Sequence, residues 1–292
     1  MKALLVAALI ALLPAAALAR PGLDANIGPE GVTITDGDKP VLFYRTKAAD
    51  PSEPGRLNYV HPLYAPDGML LTEDRPADHL HQRGLFWSWH QIRLGGDLVA
   101  DGWFMKSLTF FVKQTNFDGE AGGAGVLTLH VQWIVNSGPE VLFIADEVTK
   151  VRILPLKAGA RRLEFDTTIT PLVDDLSIGG SDDAKGYGGF SMRLRAADKP
   201  AFSSGGKPVK PAVTPVLAGN AMGFSWPGQP GLSKWGVGMS CKVNGKPVTQ
   251  WILRRELSMQ NCVWPGRAPV ALPKGKPLHL ETTVVIVPAR AK

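Results

Sequence analysis

The chain has 292 residues, 45% hydrophobic and 20% charged, with a formal net charge of +6. That length can bury a full core as one large domain. The basic residues are scattered, at Arg161-Arg162, Arg254-Arg255 and a loop near Lys207 and Lys210; no basic stripe interleaved with aromatics exists, which argues against a nucleic-acid partner.

Residues 1–19 carry one early lysine, an apolar run and an A-L-A ending. They read as a secretory signal peptide cleaved after Ala19, which predicts a periplasmic or secreted protein. An uncleaved anchor is the alternative, but the run is short for a bilayer span and Pro14 interrupts it. No later stretch is long and apolar enough to span a membrane, so no stable insertion is expected after cleavage, and loss of Lys2 lowers the charge to +5. Export places Cys241 and Cys262 where disulfides persist, and the even count predicts one bridge, worth about 3 kcal/mol. Two buried free thiols are the alternative. Two cysteines are too few for a structural zinc site.

After the signal, Val32-Thr33-Ile34 and Pro40 to Arg45 read as short strands, and the proline- and acid-rich stretch Ala48 to Arg56 as a loop. Beyond Met105 the pattern is repeatedly strand-like: Ser107 to Val112, Val126 to Val135 after a glycine-rich turn, Val141 to Leu154 and Leu163 to Leu172. Gly188 to Arg195, Trp235 to Val243, Thr249 to Arg254 and Leu278 to Val287 follow. Leu163 to Leu172 and Gly188 to Arg195 alternate apolar and polar residues, as half-buried strands do. Ser203 to Pro215 reads as an exposed loop. No segment shows helical periodicity, and 32 glycines with 24 prolines suit many tight connections. The expected fold is therefore all-β, an antiparallel β-sandwich with few or no helices, built as a single domain over residues 20–292.

Chemistry concentrates between Asn58 and Trp103. Four of the six histidines (His61, His79, His81, His90) and three of the eight tryptophans (Trp87, Trp89, Trp103) lie there. On a strand, His79, His81 and Arg83 would project from one face. Such a row suits acid–base work by imidazole while Arg83 holds a substrate oxygen. It also suits a divalent metal held by His79 and His81 with a third ligand, His61 or His90, the set His61, His79 and His81 being the first choice. The plain alternative is histidines satisfying backbone groups in a polar core.

Asp78 would face away from His79 and act as a brace. Trp87 shares a strand face with Arg83, and with Trp103 it could stack on a sugar ring beside His90; both are otherwise core fillers. The block Lys185-Gly186-Tyr187-Gly188-Gly189 could bring a cation and a phenol to the same place, or be a glycine turn.

The order H-P-L (His61 to Leu63), P-D-G (Pro66 to Gly68), D-H-x-H-x-R-G-L (Asp78 to Leu85) and D-x-W (Asp101 to Trp103) resembles an exported bacterial family of unknown function carried under the label PmoA, methane oxygenase family. The blocks K-G-Y-G-G-F-S-M-R, K-W-G-V-G-M and W-I-L-R sit where that family has comparable ones, so the resemblance covers most of the mature chain. Gln82 stands where the family usually has histidine. His61, His79, His81 and Arg83 are the matched positions. The activity in the label does not transfer, because a membrane monooxygenase subunit needs several spanning helices. What the resemblance implies is an exported β-sandwich tied to carbohydrate use. The closing pattern from Pro273 to Val284 resembles the galactose-mutarotase-like supersandwich, an analogy of fold alone.

The leading expectation is an exported enzyme acting on a sugar or glycoside by hydrolysis, elimination or isomerisation, without a cofactor. His79, His81 and His61 would be catalytic; Arg83, Trp87, His90, Trp103, Lys185, Tyr187 and Arg254 would bind substrate. A metal-dependent enzyme or metal carrier on His61, His79 and His81 is one alternative, and a non-catalytic carbohydrate-binding protein is another.

Overall fold

The computed structural model describes residues 22–137, 140–195, 200–256 and 259–289; the expected signal segment lies outside them. The fold is all-β and antiparallel, as the alternation predicts. The only helical turn among the described residues is the 3₁₀ segment Leu232–Lys234. None of their helices is long and apolar enough to cross a membrane.

Two large sheets form the sandwich. One runs, in spatial order, through Leu108–Gly119, Gly125–Ser137, Glu140–Ile153, Arg161–Pro171, Leu278–Pro288, Trp235–Val243, Ala221–Ser225, Ala201–Ser204 and Lys207–Pro208, with Lys246–Pro247 paired off the path. Its longer strands, Leu278–Pro288 among them, are rich in β-branched residues and bury one face. In Arg161–Pro171, Leu163, Phe165, Thr167 and Ile169 turn inward while the residues between them face out. Leu163 pairs with Val284 of Leu278–Pro288. Both are fully buried, each contributing about 1.5–3 kcal/mol by leaving water.

The other sheet is ordered Leu23–Ile27, Gly31–Asp36, Lys39–Arg45, Tyr59–Leu63, Leu85–Trp89, Gly188–Arg193, Met259–Cys262, Gln250–Leu253 and Val216–Leu217. Its centre is covered on both faces. Val60, Leu85, Trp89, Phe190 and Met192 join the main core. Tyr59, Phe86, Trp103 and Met259 form a second apolar cluster, against which Tyr187 packs. Register explains the division: Ser191 pairs with Phe86 on one side and Asn261 on the other, so these three share the face opposite the main core. A small four-stranded sheet, Val270–Ala271, Leu176–Gly179, Gln91–Leu94 and Asp97–Ala100, adds Ile92, Ala100, Leu176 and Ile178 to the main core.

The Cys241–Cys262 bridge forms as expected, across a separation of 21 residues, and ties Trp235–Val243 of one sheet to Met259–Cys262 of the other. Three expectations need correction. Gly188–Arg193 is buried at all six positions, not half-buried as its alternation suggests, because the sheet there is covered on both faces. Within Ser203 to Pro215, Ser203 and Ser204 pair with Pro208 and Lys207, so the segment begins as a hairpin rather than a plain loop. The row His79–His81–Arg83 is not a strand: residues 77–81 are turns, with Gln82 N–H donating to the His79 carbonyl at 2.9 Å, and the strand starts only at Leu85. Buried arginines, described next, set that path against local strand preference.

Candidate functional site

The loop from Glu73 to Arg83 lies over the doubly covered sheet and is pinned there by guanidinium groups that the sheet and its neighbours bury. Arg193, 1% exposed at the end of Gly188–Arg193, donates to Asp78 at 2.9 Å, Glu73 at 3.1 Å and Gln82 Oε1 at 2.6 Å. Arg56, 3% exposed, donates to Glu53 at 2.6 Å, to Asp74 at 2.9 Å and to the Leu80 carbonyl. Asp74 also accepts the Tyr59 hydroxyl at 2.7 Å. Arg83 lies beneath the loop, 4.1 Å from the centre of the Phe86 ring. It reaches only the carbonyls of His81, Gly102 and Trp103, at 3.3–3.5 Å. Charge-assisted bonds of this kind hold a loop far more rigidly than its own turns would.

So pinned, the loop closes one side of a cavity of about 690 Å³, within the range of small-molecule sites. His79, His81 and His90 line it together. His79 Nδ1 lies 2.8 Å from Asp78 and His90 Nδ1 lies 2.9 Å from Asp101. A carboxylate at Nδ1 favours the tautomer with its proton there, leaving Nε2 as the acceptor. Asp101 is itself oriented by the Phe104 N–H at 2.9 Å. His90 stacks on Trp103, ring centres 5.2 Å apart, and Phe104 stands edge-on to both His90 and His81. Burial, followed by the nearby His79 and Arg83 charges, pushes His81 down to about 4. His81 is therefore neutral at any ordinary pH and about as basic as a carboxylate. Burial works to raise Asp78, but the bonds from His79 and Arg193 outweigh it and hold the carboxyl low.

Across the cavity stand Tyr187, Arg254 and Lys185. Arg254 Nε donates to the Tyr187 hydroxyl at 2.8 Å, while its terminal nitrogens are held by the carbonyls of Ala212 and Val213. An arginine only donates, so Tyr187 accepts from it and keeps its own O–H for a ligand. Burial raises the Tyr187 pKa, with Arg254 pulling the other way. Tyr187 leans on Trp103, ring centres 5.1 Å apart. The turn before it is built by Asp183, which accepts the Ser181 hydroxyl and the N–H groups of Lys185 and Gly186.

Of the residues predicted for the site, the cavity thus brings together His79, His81, His90, Trp103, Lys185, Tyr187 and Arg254, drawn from three separate parts of the chain. Three are placed elsewhere. His61 is on Tyr59–Leu63, bonded through Nδ1 to Thr72 Oγ1 at 2.9 Å, and burial lowers its pKa. Arg83, 1% exposed, supports the floor from below. Trp87 packs between Trp89 and Phe190 in the main core, because Leu85–Trp89 turns its alternate residues inward. Trp103 lines the cavity but is 3% exposed and serves as floor; the ring presented to solvent is Phe104, 53% exposed. His61 lies apart from the other two histidines of the first predicted metal set, and although His90 lines the cavity with His79 and His81, no cluster of metal-holding spacing occurs among the described residues. Phe104, Asp101, Arg56 and Arg193 were not predicted as site residues; only Asp101 carries a signal, as one of the carboxylates interleaved with the histidines and as the start of D-x-W.

A family model described as a family of unknown function, DUF6807, matches residues 31–292. The match bears out membership of an uncharacterised family and does not show the PmoA label. No curated protein sequence matches the chain. A solved structure described as a candidate kojibiose phosphorylase from the human microbiome aligns with 92% of this chain at 9% identity and a TM-score of 0.33. The chain spans 30% of that protein's length, and a likeness so remote carries no argument about function.

Proposed function

The chain belongs to DUF6807, and because that family has no known function, we propose from the cavity itself that the protein is an exported enzyme acting on a sugar or glycoside by proton transfer. The observation that carries this reading is the Asp101–His90 pair on a cavity wall shared with a neutral His81. An imidazole oriented by a carboxylate, here the partly buried Asp101, is a standard means of taking a proton and returning it. In this reading His90 Nε2 is the base and Asp101 fixes its tautomer. His81 accepts a hydrogen bond from a substrate hydroxyl without competing for protons. Tyr187 donates to a second substrate oxygen, its free O–H set by Arg254. Phe104 offers its exposed ring to the C–H face of a sugar. Export is supported by the inter-sheet disulfide, which persists in oxidising compartments.

A panel of glycosides and free sugars, followed for turnover and for binding, tests the reading. Once a substrate is found, His90→Ala is expected to lower kcat by about 10²–10⁴-fold, the usual worth of a positioned acid–base group. His61→Ala, altering a residue outside the cavity, is expected to leave kcat within a few-fold. Full turnover by His90→Ala removes the assignment. Binding of a sugar with no turnover of any panel member would favour a carbohydrate-binding protein instead.

A further inference from the structure

Three carboxylates, Asp101, Asp182 and Asp183, line the cavity with three cations, Arg93, Lys185 and Arg254, but its two arginines are not paired with its carboxylates. Each carboxylate facing it is already engaged by neighbours. Asp101 holds His90 and the Phe104 N–H. Asp182 pairs with Arg267 at 2.8 Å, and Asp183 is bound by its own turn, with Lys185 Nζ at 3.5 Å. Against these stand three guanidinium groups with no carboxylate in ion-pair contact among the described residues. Arg254 is held by carbonyls and the Tyr187 oxygen. Arg83 donates only to carbonyls, lies over the Phe86 ring and feels Asp74 and Asp101 without touching them, and its buried Nε has no hydrogen-bond partner among the described residues.

Arg93 is the one placed to meet a ligand. It lies on Gln91–Leu94 and lines the cavity. Its Nε donates to Gln91 Oε1 at 2.9 Å and its Nη1 to the Gly96 carbonyl at 2.6 Å. Those two bonds fix the plane of the guanidinium and leave Nη2 without a partner among the described residues. A cation so oriented, at the edge of a cleft, is pre-organised for an oxyanion. Arg93 is half-buried, whereas Arg83 is buried with no carboxylate in contact, a state costly to fold, and the field of such cations is focused by low-dielectric walls onto whatever enters.

We propose, building on the sugar-directed reading above, that the cavity selects anionic sugars, with Arg93 pairing to the acidic group and Arg83 and Arg254 supplying a positive field. The acidic group is an oxyanion, either a uronate carboxylate or a sulfate ester. The low proton affinity of His81, set first by burial and then by positive charge nearby, that of Arg83 included, agrees with such a field. Its neutrality also keeps it from pairing with the anion, which leaves that task to Arg93.

Calorimetric titration of the full chain against matched neutral, uronate and 6-sulfated forms of glucose, galactose and mannose tests the proposal. The acidic member of the preferred set is expected to bind roughly tenfold or more tightly than its neutral partner at low salt, with the margin shrinking as salt screens it. Whether the uronate or the sulfate wins identifies the oxyanion. Arg93→Gln is expected to collapse the acidic preference to about twofold or less, and Arg93→Lys to retain part of it; a melting curve confirms that each variant is folded. Neutral sugars binding as tightly as acidic ones would overturn the selectivity while leaving the enzyme reading intact. So would an acidic preference that survives Arg93→Gln. Failure of every sugar, neutral or acidic, to bind would sink the sugar-directed reading and this inference with it.

Discussion

Arg161–Pro171 and Gly188–Arg193 each run through the middle of their sheets, yet they are built on different plans. The first alternates between buried and outward-facing residues along its length, whereas all six residues of the second are buried. The first sheet spends one face on the core and gives the other to solvent. The second has the core below and a pinned loop, an aromatic cluster and the cavity above. A strand covered on both sides needs small residues where layers meet closely, and buried polar groups that the covering layer can satisfy. Gly188, Gly189, Ser191 and Arg193 meet those needs in turn.

The contrast is most sharply tested at Gly189. Its φ is +103°, and an added Cβ would lie 2.3 Å from the Cys262 carbonyl oxygen. Gly189→Ala is therefore expected to cost about 3 kcal/mol or more and to disable the cavity together with the fold. Leu163→Ala, in the alternating strand, is expected to cost about 3 kcal/mol through the void it leaves, while sugar binding by the folded fraction stays unchanged. Denaturant unfolding beside ligand titration separates the two; equal losses of stability and binding in both variants would erase the distinction.

Arg193→Met should have a smaller effect on stability and a larger one on the site. Its carboxylate partners Glu73 and Asp78 are partly exposed and can turn to water, so a cost of about 2 kcal/mol is expected, below that of a fully buried pair. The loop it releases carries His79 and His81. Binding should thus fall further than stability, and hydrogen exchange should rise across residues 73–83 before it rises in the sheets.

The smallest effect is a dependence on acidity. His81 keeps a pKa of about 4 in the folded protein against an ordinary 6.5, and His61 is also lowered by burial. Between those values the unfolded chain takes up protons that the folded one refuses, so this stability is fully present above pH 6.5 and is lost as pH falls towards 4. Asp78, held below its ordinary 3.8, loses its contribution only at still lower pH and does not mask the effect. Melting temperature should drop from pH 7 to pH 4.5, and less so in His81→Gln. An equal drop in that variant would remove His81 from the account.

Ten-stranded and nine-stranded sheets differed in how far the sequence revealed them, for the same reason. Leu163 to Leu172, Val126 to Val135 and Leu278 to Val287 announce themselves by alternation or a long β-branched run, because one covered face imposes a period of two. Tyr59–Leu63, Leu85–Trp89 and Met259–Cys262 are short and buried on both faces, so no period marks them. That is why His79, His81 and Arg83 were expected on a strand, and why Trp87 was expected to meet solvent rather than Phe190.

By itself the sequence determined an all-β chain, the bridge between its two cysteines, and the concentration of imidazoles ahead of Trp103. These follow from local pattern, composition and count. Only the tertiary structure decided that Asp101 orients His90, that Lys185, Tyr187 and Arg254 face the histidines, and that Arg83 works from beneath. Those pairings depend on which loops the second sheet brings above one face, and on buried arginines whose partners lie up to 120 residues away; no spacing along the chain encodes a contact made by that route.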